Sequence, residues 1–351
     1  MSLPPRRPSL VAAVGAALVL ATTASCSGGS SDVVDAPAGS TQAPAADGSG
    51  RTVNLYAYAV PKPGFDKLIP AFSATSAGKG VTFQQSYGAS GDQSRKVAAG
   101  AAADFVNFSV EPDVTRLVDA GLVDASWNTG AHKGIPFGSV VTIVVRKGNP
   151  KGIKDWDDLL KPGVNVVTPN PFSSGSAKWN LLAPYSAKSD GGKNAPAGLD
   201  YVSALVKDHV TTQPKSGREA SDTFLQGTGD ALISYENEAI FLERGGDPVE
   251  HVTPSTTFKI ENPAAVVKTS TNLATATAFN DFIYTTAAQT LLAQAGFRPV
   301  DEAVAKEYAS SFPAPAKLWT IDDLGGWKKV DKALFAKDTG TIAVIYDAAT
   351  K

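Results

Sequence analysis

Three Ser-Gly turns, each placed where a helix is predicted to begin, constrain the fold of this chain more than any other feature. The turns are Ser90–Gln93, Ser174–Ala177 and Ser216–Glu219. The predicted helices cover residues 94–103, 178–186 and 220–226. The first turn of a helix exposes unpaired N–H groups at the positive end of the helix dipole. Because small residues let an anion approach that backbone, the three turns together predict an anion-binding cleft, although each alone could be ordinary capping.

Strands and helices alternate along the chain. Strands are predicted over residues 53–59, 81–86, 105–109, 139–146, 164–168 and 231–235. Further helices are predicted over 65–75, 113–120, 155–161 and 237–244, and the chain is mostly helical from residue 274 onward. This alternation predicts α/β sheets, with ligands at the carboxyl ends of the strands. About 300 residues of normal apolar content without a long apolar run favour two lobes over a single core.

The first 25 residues have the pattern of a secretory signal peptide. Arg6 and Arg7 form the charged region, and the apolar run Leu10–Ala21 is shorter than the roughly 20 residues that span a bilayer. Small residues then precede Cys26, as in a lipoprotein cleavage site, and Cys26 is the single cysteine of the chain. We therefore expect Cys26 to carry acyl chains that anchor the protein to the outer face of the cell membrane. A plain secreted protein with an incidental cysteine is the alternative.

Residues 26–50 are predicted to be the lipidated cysteine and a flexible tether. Ser27–Gly50 has no aromatic residue and is dominated by Gly, Ser, Ala, Pro, Thr and Asp, so it cannot bury a core. Loss of the signal peptide removes two arginines and leaves 30 basic against 34 acidic residues. The resulting negative net charge argues against nucleic acid as a partner.

Catalytic patterns are absent from the sequence. His132, His209 and His251 lack the spacing of metal ligands, and there is no Walker A sequence, complete dinucleotide loop or G-x-S-x-G motif. The carboxylate pairs Asp157/Asp158 and Glu236/Glu238 are better explained as solvated faces or caps than as acid/base pairs. We therefore predict a protein that is not an enzyme, with no catalytic residue, metal or cofactor.

Several motifs, in order, resemble the periplasmic sulfate-binding proteins of ABC importers. The resemblance runs from about residue 54 to about residue 335, and the motifs that carry it are Arg146–Pro150, Asp155-Trp156, Lys161–Val164, Thr168–Pro171, Ser173–Gly175, Glu236–Ala239 and Gly325–Trp327. It implies a two-lobed α/β periplasmic-binding-protein fold of type II, with two crossovers near residues 137–141 and 253–263 and an anion cleft between the lobes. On this basis lobe 1 would comprise residues 51–138 and 260–351, including the C-terminal helices, and lobe 2 residues 139–259.

The resemblance also implies a set of ligating positions. The sulfate-binding residues would be Ser90 (through hydroxyl and backbone), Ser174, Gly175, Ser176, Gly217 and Tyr235. This sequence departs from the family pattern at four positions. Tyr235 stands in place of Trp, Ser176 in place of Gly, Gly217 in place of Ala, and Ala59 in place of an Asp that orients the site. Arg218 is expected near the site without touching the anion.

The expected function is that of a lipid-anchored subunit that captures sulfate for an ABC permease and ATPase. Sulfate is fully ionised at neutral pH and offers only acceptor oxygens, so a site of N–H and O–H donors suits it. Thiosulfate or another tetrahedral oxyanion is the alternative ligand. An exported hydrolase of sulfate or phosphate esters, which would need a metal or nucleophile set, and a surface lipoprotein without a transport role are alternatives of other classes. A monomer suits two lobes that close on a ligand.

Replacing the lone cysteine tests the predicted anchor. We expect Cys26→Ser to release the protein into the medium or to leave an uncleaved precursor, because the thioether that carries the lipid can no longer form. Detergent partitioning and mass spectrometry of the mature protein measure this. A variant that still partitions into detergent at the mature mass would contradict the lipoprotein interpretation.

Overall fold

The computed structural model describes residues 51–349. These residues fold into two β-sheets with helices packed against them. The predicted signal peptide, Cys26 and the tether lie outside the described residues. The strands are β1 (Arg51–Tyr58), β2 (Val81–Gly88), β3 (Phe105–Asn107), β4 (Phe137–Arg146), β5 (Val166–Val167), β6 (Val210–Thr212), β7 (Ala231–Tyr235), β8 (Val249–Val252), β9 (Thr256–Asn262), β10 (Ala264–Val266), β11 (Arg298–Pro299) and β12 (Lys317–Trp319).

Helices connect and cover these strands. They are α1 (Lys62–Ser73), α2 (Ser90–Ala98), α3 (Glu111–Asp119), α4 (Gly175–Ser189), α5 (Ala195–Ala204), α6 (Gly217–Leu225), α7 (Glu236–Gly245), α8 (Leu273–Ile283), α9 (Thr286–Gln294), α10 (Glu302–Glu307), α11 (Trp327–Val330) and α12 (Thr341–Ala349). Short 3₁₀ turns cover Trp156–Leu160, Ala309–Ser311 and Asp322–Leu324, and π turns cover Leu205–His209 and Asp331–Phe335. The predicted alternation of strands and helices is confirmed.

The first sheet has the strand order β10-β3-β1-β2, with β1 parallel to both of its neighbours and β10 antiparallel to β3. The side chains of β1 are buried or half-buried on both faces of the sheet, as expected for a central strand. Val53, Leu55 and Ala57 point into one aromatic core, whereas Tyr58 points to the opposite face. Because β1, β2 and β3 are parallel, their carboxyl ends meet at one edge of the sheet, where α2 begins.

The second sheet is built around the long strand β4. Its order is β12-β9-β4-β7-β5-β6, and β8 and β11 also pair with β4. The predicted crossover segments lie on β4 and β9, which run antiparallel with Phe137 opposite Asn262. β7 pairs with the middle of β4, with Tyr235 opposite Val141. This pairing places the end of β7 next to the crossover strands.

Helix α4 is buried on nearly all sides. Twelve of its fifteen residues are buried, including Trp179 and Leu182, because β9 and α5 both pack against it. It ends at Asp190, whose left-handed backbone (φ 49°) is followed by Gly191. A helix buried all round is a core element, so the position of its first turn is fixed by packing on several sides.

The C-terminal helices pack differently from the expectation. The sequence assigned them to lobe 1, but Trp327, Ile342 and Tyr346 share a hydrophobic core with Trp179 and Tyr201 of the predicted lobe 2. α12 contacts α5 directly. The reason is that α4 and α5 present a large apolar surface that the C-terminal segment covers. The sequence could not predict which lobe the C-terminal helices pack on, because that packing depends on contacts between segments far apart in the chain.

Phe279 on α8 is the central ring of the first sheet's aromatic core. Its ring centroid lies 4.8 Å from that of Phe83, 5.2 Å from that of Phe72 and 5.3 Å from that of Phe105. We expect Phe279→Ala to lower the free energy of unfolding by about 3–5 kcal/mol, because it leaves a cavity among these rings. Urea unfolding measures the loss. Leu273→Ala, on the exposed start of the same helix, is the control and should change stability by less than about 0.5 kcal/mol; equal losses would contradict the assigned core.

Candidate functional site

The three Ser-Gly turns form the first turns of helices α2, α4 and α6. These helices begin at Ser90, Gly175 and Gly217, three or four residues earlier than predicted. The residues before them, Ala89 and Ser174 among them, are extended, and in α2 and α4 no side chain caps the helix. The N–H groups of the turn residues therefore lie in the first turn of each helix, where they have no carbonyl partner within the helix. This position strengthens the case for an anion site.

These helix starts converge on one place. The N–H of Gly91 on α2 donates to the carbonyl of Ser173, just before α4, at 3.2 Å. A Cβ added to Gly217 on α6 would lie 3.0 Å from Oγ of Ser176 on α4. A Cβ added to Gly175 would lie only 2.7 Å from Cβ of Ser109. The structure thus brings the predicted positions at the three turns together around Ser109.

Ser109 joins the converging elements and was missed by the sequence analysis. Its N–H donates to Oγ of Ser90 at 2.9 Å, and its carbonyl accepts from Nε1 of Trp179 at 2.8 Å and Nδ2 of Asn262 at 3.2 Å. Its own Oγ shares a 2.6 Å hydrogen bond with Oη of Tyr235. Ser109 follows β3 at the carboxyl edge of a parallel sheet, and that position is the signal that could have identified it.

The hydroxyl of Ser90 is engaged within the protein. It donates to Oδ2 of Asp113 at 2.6 Å, and Asp113 is in turn paired with Arg116 at 2.8 Å. Because a hydroxyl has a single hydrogen, Ser90 keeps only its backbone N–H for a ligand in this arrangement. This differs from the expectation that both its hydroxyl and its backbone would bind.

Tyr235 lies at the end of β7, directly before α7, and is almost fully buried. Its hydroxyl contacts Ser109, and hydrogen bonds with Ser176 and Asn262 act on it as well. Burial raises the pKa of Tyr235 well above the ordinary phenol value, and these hydrogen bonds oppose that shift only in part. The phenol therefore stays protonated and can donate a hydrogen bond.

Arg218, the second residue of α6, forms an ion pair with a buried carboxylate. Its guanidinium nitrogen lies 3.0 Å from Oε2 of Glu238, whose side chain has no exposed surface, and the guanidinium also stacks over Phe241. Burial raises the pKa of Glu238, and the charge of Arg218 opposes that shift. The positive charge of Arg218 is thus already matched by an acid.

Ala59 follows β1 at the same sheet edge and is half-buried. Its carbonyl accepts a long hydrogen bond from the N–H of Lys62 at 3.4 Å. Within residues 51–349, no cluster of His, Cys, Asp or Glu is arranged to hold a metal ion, and no helix is long and apolar enough to cross a bilayer. What the site offers chemically is a set of backbone N–H and hydroxyl donors at three helix starts.

Comparison with known proteins places these features in a family. A family model described as bacterial extracellular solute-binding protein matches residues 53–298. A sulfate-binding protein of Synechococcus elongatus is 37% identical over 341 residues, which cover 94% of each chain. A thiosulfate-binding protein of Pseudomonas aeruginosa is 34% identical and covers 82% of this chain and 90% of its own.

A solved structure is similar over most of the described residues. The sulfate-binding protein SubI from Mycobacterium tuberculosis H37Rv is 66% identical, with a TM-score of 0.81, and covers 82% of this chain and all of its own. The predicted two-lobed α/β fold of type II is confirmed by this similarity. The matched family is one of solute-binding transport proteins and not of enzymes. With a family model matching well over half of its length, the chain belongs to the bacterial extracellular solute-binding proteins.

Proposed function

We propose that this protein binds inorganic sulfate outside the cytoplasm and delivers it to the permease and ATPase of an ABC importer. The observation that carries the proposal is the convergence of three helix starts on the buried pair Ser109 and Tyr235. Sulfate has only acceptor oxygens, so it matches a site whose groups donate hydrogen bonds. The similarity to sulfate-binding proteins supports the same ligand.

Neutral donors are sufficient for a doubly charged anion here. The N–H groups of Gly175, Ser176 and Gly217 lie at positive helix ends, and hydrogen bonds to an ionised acceptor are stronger than neutral ones. Arg218 is paired with Glu238 and does not supply a free counter-charge. We therefore assign the anion to Ser90, Ser174, Gly175, Ser176, Gly217 and Tyr235, with Arg218 and Ala59 behind them.

Closure of two lobes couples capture to delivery. Ser109 follows a strand of the first sheet, whereas Trp179 and Tyr235, which bind it, belong to elements of the second. An anion bound between the two sheets would stabilise the closed arrangement of the lobes. A transporter can then distinguish the closed, loaded protein from the open, empty one. We keep the proposed crossovers at residues 138/139 and 259/260, but place α11 and α12 with the core of the second sheet, on which they pack. A monomer is the working state.

We further propose that the protein acts as a lipoprotein. The predicted signal peptide and Cys26 support an anchor at the outer face of the cell membrane, with residues 27–50 as the tether. Thiosulfate is the second candidate ligand, and the similar thiosulfate-binding protein of Pseudomonas aeruginosa favours including it.

Calorimetry of the tether-free protein against sulfate, thiosulfate, phosphate and molybdate tests the function. We expect sulfate to bind at least about tenfold more tightly than phosphate, because a P–OH group brings a donor into a site of donors. Between about pH 5 and 8 the sulfate affinity should change little, since sulfate stays ionised and Tyr235 stays protonated. Tighter phosphate binding would contradict the donor-only site, and a steep pH dependence would point to the buried Glu238 as a titrating group.

Removal of one hydroxyl tests the role of Tyr235. We expect Tyr235→Phe to weaken sulfate binding by about tenfold to a hundredfold, because a donor to a charged acceptor contributes about 1.5–3 kcal/mol. Calorimetry measures the affinity.

Ser109→Ala is the matched variant, because it removes the other oxygen of the same hydrogen bond and leaves the phenol intact. A smaller loss in Ser109→Ala than in Tyr235→Phe is expected if Tyr235 binds the anion directly. Unchanged affinity in Tyr235→Phe would show that Tyr235 only fills the interface.

A further inference from the structure

Tyr58, the last residue of β1, has a buried hydroxyl and lies outside the assigned set of sulfate ligands. The side chain is 1% exposed, and among residues 51–349 its Oη has no hydrogen-bond partner. Native proteins rarely bury a hydroxyl without a partner, because the group loses its hydrogen bonds to water. A buried, unpaired donor at the edge of a binding cleft is therefore a candidate ligand group.

The side chain of Tyr58 points from the first sheet into the core of the second. Its parity on β1 is opposite to that of Leu55 and Ala57, and it packs in the core that contains Trp179 and Tyr235. The ring centroids of Tyr58 and Tyr235 are 6.4 Å apart.

The residues after Tyr58 lead to the start of α6. Cγ2 of Val60 would lie 3.1 Å from a Cβ added to Gly217. Tyr58 thus lies beside Tyr235, and Val60, two residues further along the chain, contacts the segment that begins α6.

The charge state of the phenol suits a donor. Burial raises the pKa of Tyr58, and the nearby Tyr235 and the carboxylate of Glu238 raise it further. The phenol therefore keeps its hydroxyl hydrogen at neutral pH. Glu238 is close enough to act on this phenol electrostatically but is paired with Arg218 at 3.0 Å, and no hydrogen bond joins Glu238 to Tyr58.

None of the assigned ligand residues on the first sheet offers a free side-chain donor to the anion. Ser90 already gives its hydroxyl hydrogen to Asp113, so its backbone N–H is the group it keeps for an anion. The remaining assigned donors follow strands of the second sheet or begin α4 and α6. Tyr58 would add a side-chain donor from the first sheet.

We propose that the Tyr58 hydroxyl donates a hydrogen bond to the bound oxyanion and is a further specificity-determining ligand of the site. This inference rests on the proposed sulfate-binding function. It gives the anion a side-chain donor on each sheet, Tyr58 at the end of β1 and Tyr235 at the end of β7. A ligand held in this way links the two sheets directly.

The experiment is calorimetry of Tyr58→Phe with sodium sulfate, together with thermal unfolding of the same variant without sulfate. We expect the Kd for sulfate to rise by about tenfold to a hundredfold. Without sulfate, the Tm should stay the same or rise, because the substitution removes a buried hydroxyl that has no protein partner. If the hydroxyl contacts the ligand, the Kd rises and the Tm without sulfate does not fall. If the hydroxyl has only a structural role, the Tm falls.

Tyr201→Phe is the matched control. The hydroxyl of Tyr201 is buried but donates to the carbonyl of Trp156 in the core of the second sheet. Its loss should lower the Tm and leave the sulfate affinity unchanged. If wild-type protein binds sulfate and Tyr58→Phe binds it equally well, the inference is wrong and the proposed function stands. A rise in Kd with a Tm loss equal to that of Tyr201→Phe also overturns the inference, and wild-type protein that binds no sulfate overturns both.

Discussion

The hydrogen bonds of Ser109 hold the candidate site together. Its N–H, carbonyl and hydroxyl are bound by residues from α2, α4, β7 and β9, and all of these groups are buried. A buried polar group is costly unless it is paired, so each bond restricts where its element can lie. The relative positions of α2, α4 and the end of β7 therefore depend on one residue that follows a three-residue strand.

Two ion pairs fix the next part of the site, the first turn of α7. Glu236 receives two hydrogen bonds from Arg298, at 2.7 and 2.9 Å, and Glu238 is paired with Arg218. Carboxylates are favourable at a helix start, but burial makes each of them require a partner. Because Tyr235 directly precedes this turn, the two ion pairs and the hydrogen bond to Ser109 together restrict where its side chain can lie. The sequence analysis had explained Glu236 and Glu238 as solvated faces or caps, and their burial corrects that interpretation.

Local patterns in the sequence were enough to predict the alternation of strands and helices and the three Ser-Gly turns. They placed the starts of α2, α4 and α6 three or four residues too late, because serine and glycine have low helix propensity even where they form a first turn. Ser109, Tyr58 and the pair Arg218 and Glu238 were not predicted. Their roles depend on contacts across the chain, as between Ser109 and Tyr235, which are 126 residues apart. The packing of the C-terminal helices on α5 is of the same kind.

The close approach of Gly175 to Ser109 has a consequence for how such a site can evolve. Where an anion is held through backbone N–H groups, the side chains at those positions can change without loss of the donor, as Ser176 and Gly217 do relative to the family pattern. Gly175 is different, because a single methyl group there would lie 2.7 Å from Cβ of Ser109. Along the proposed anion-binding backbone, shape therefore limits variation most strongly at Gly175. The limit is weaker at Gly217, where an added Cβ would lie 3.0 Å from Oγ of Ser176. During evolution, the side chains around this site could therefore change repeatedly while residue 175 remained glycine.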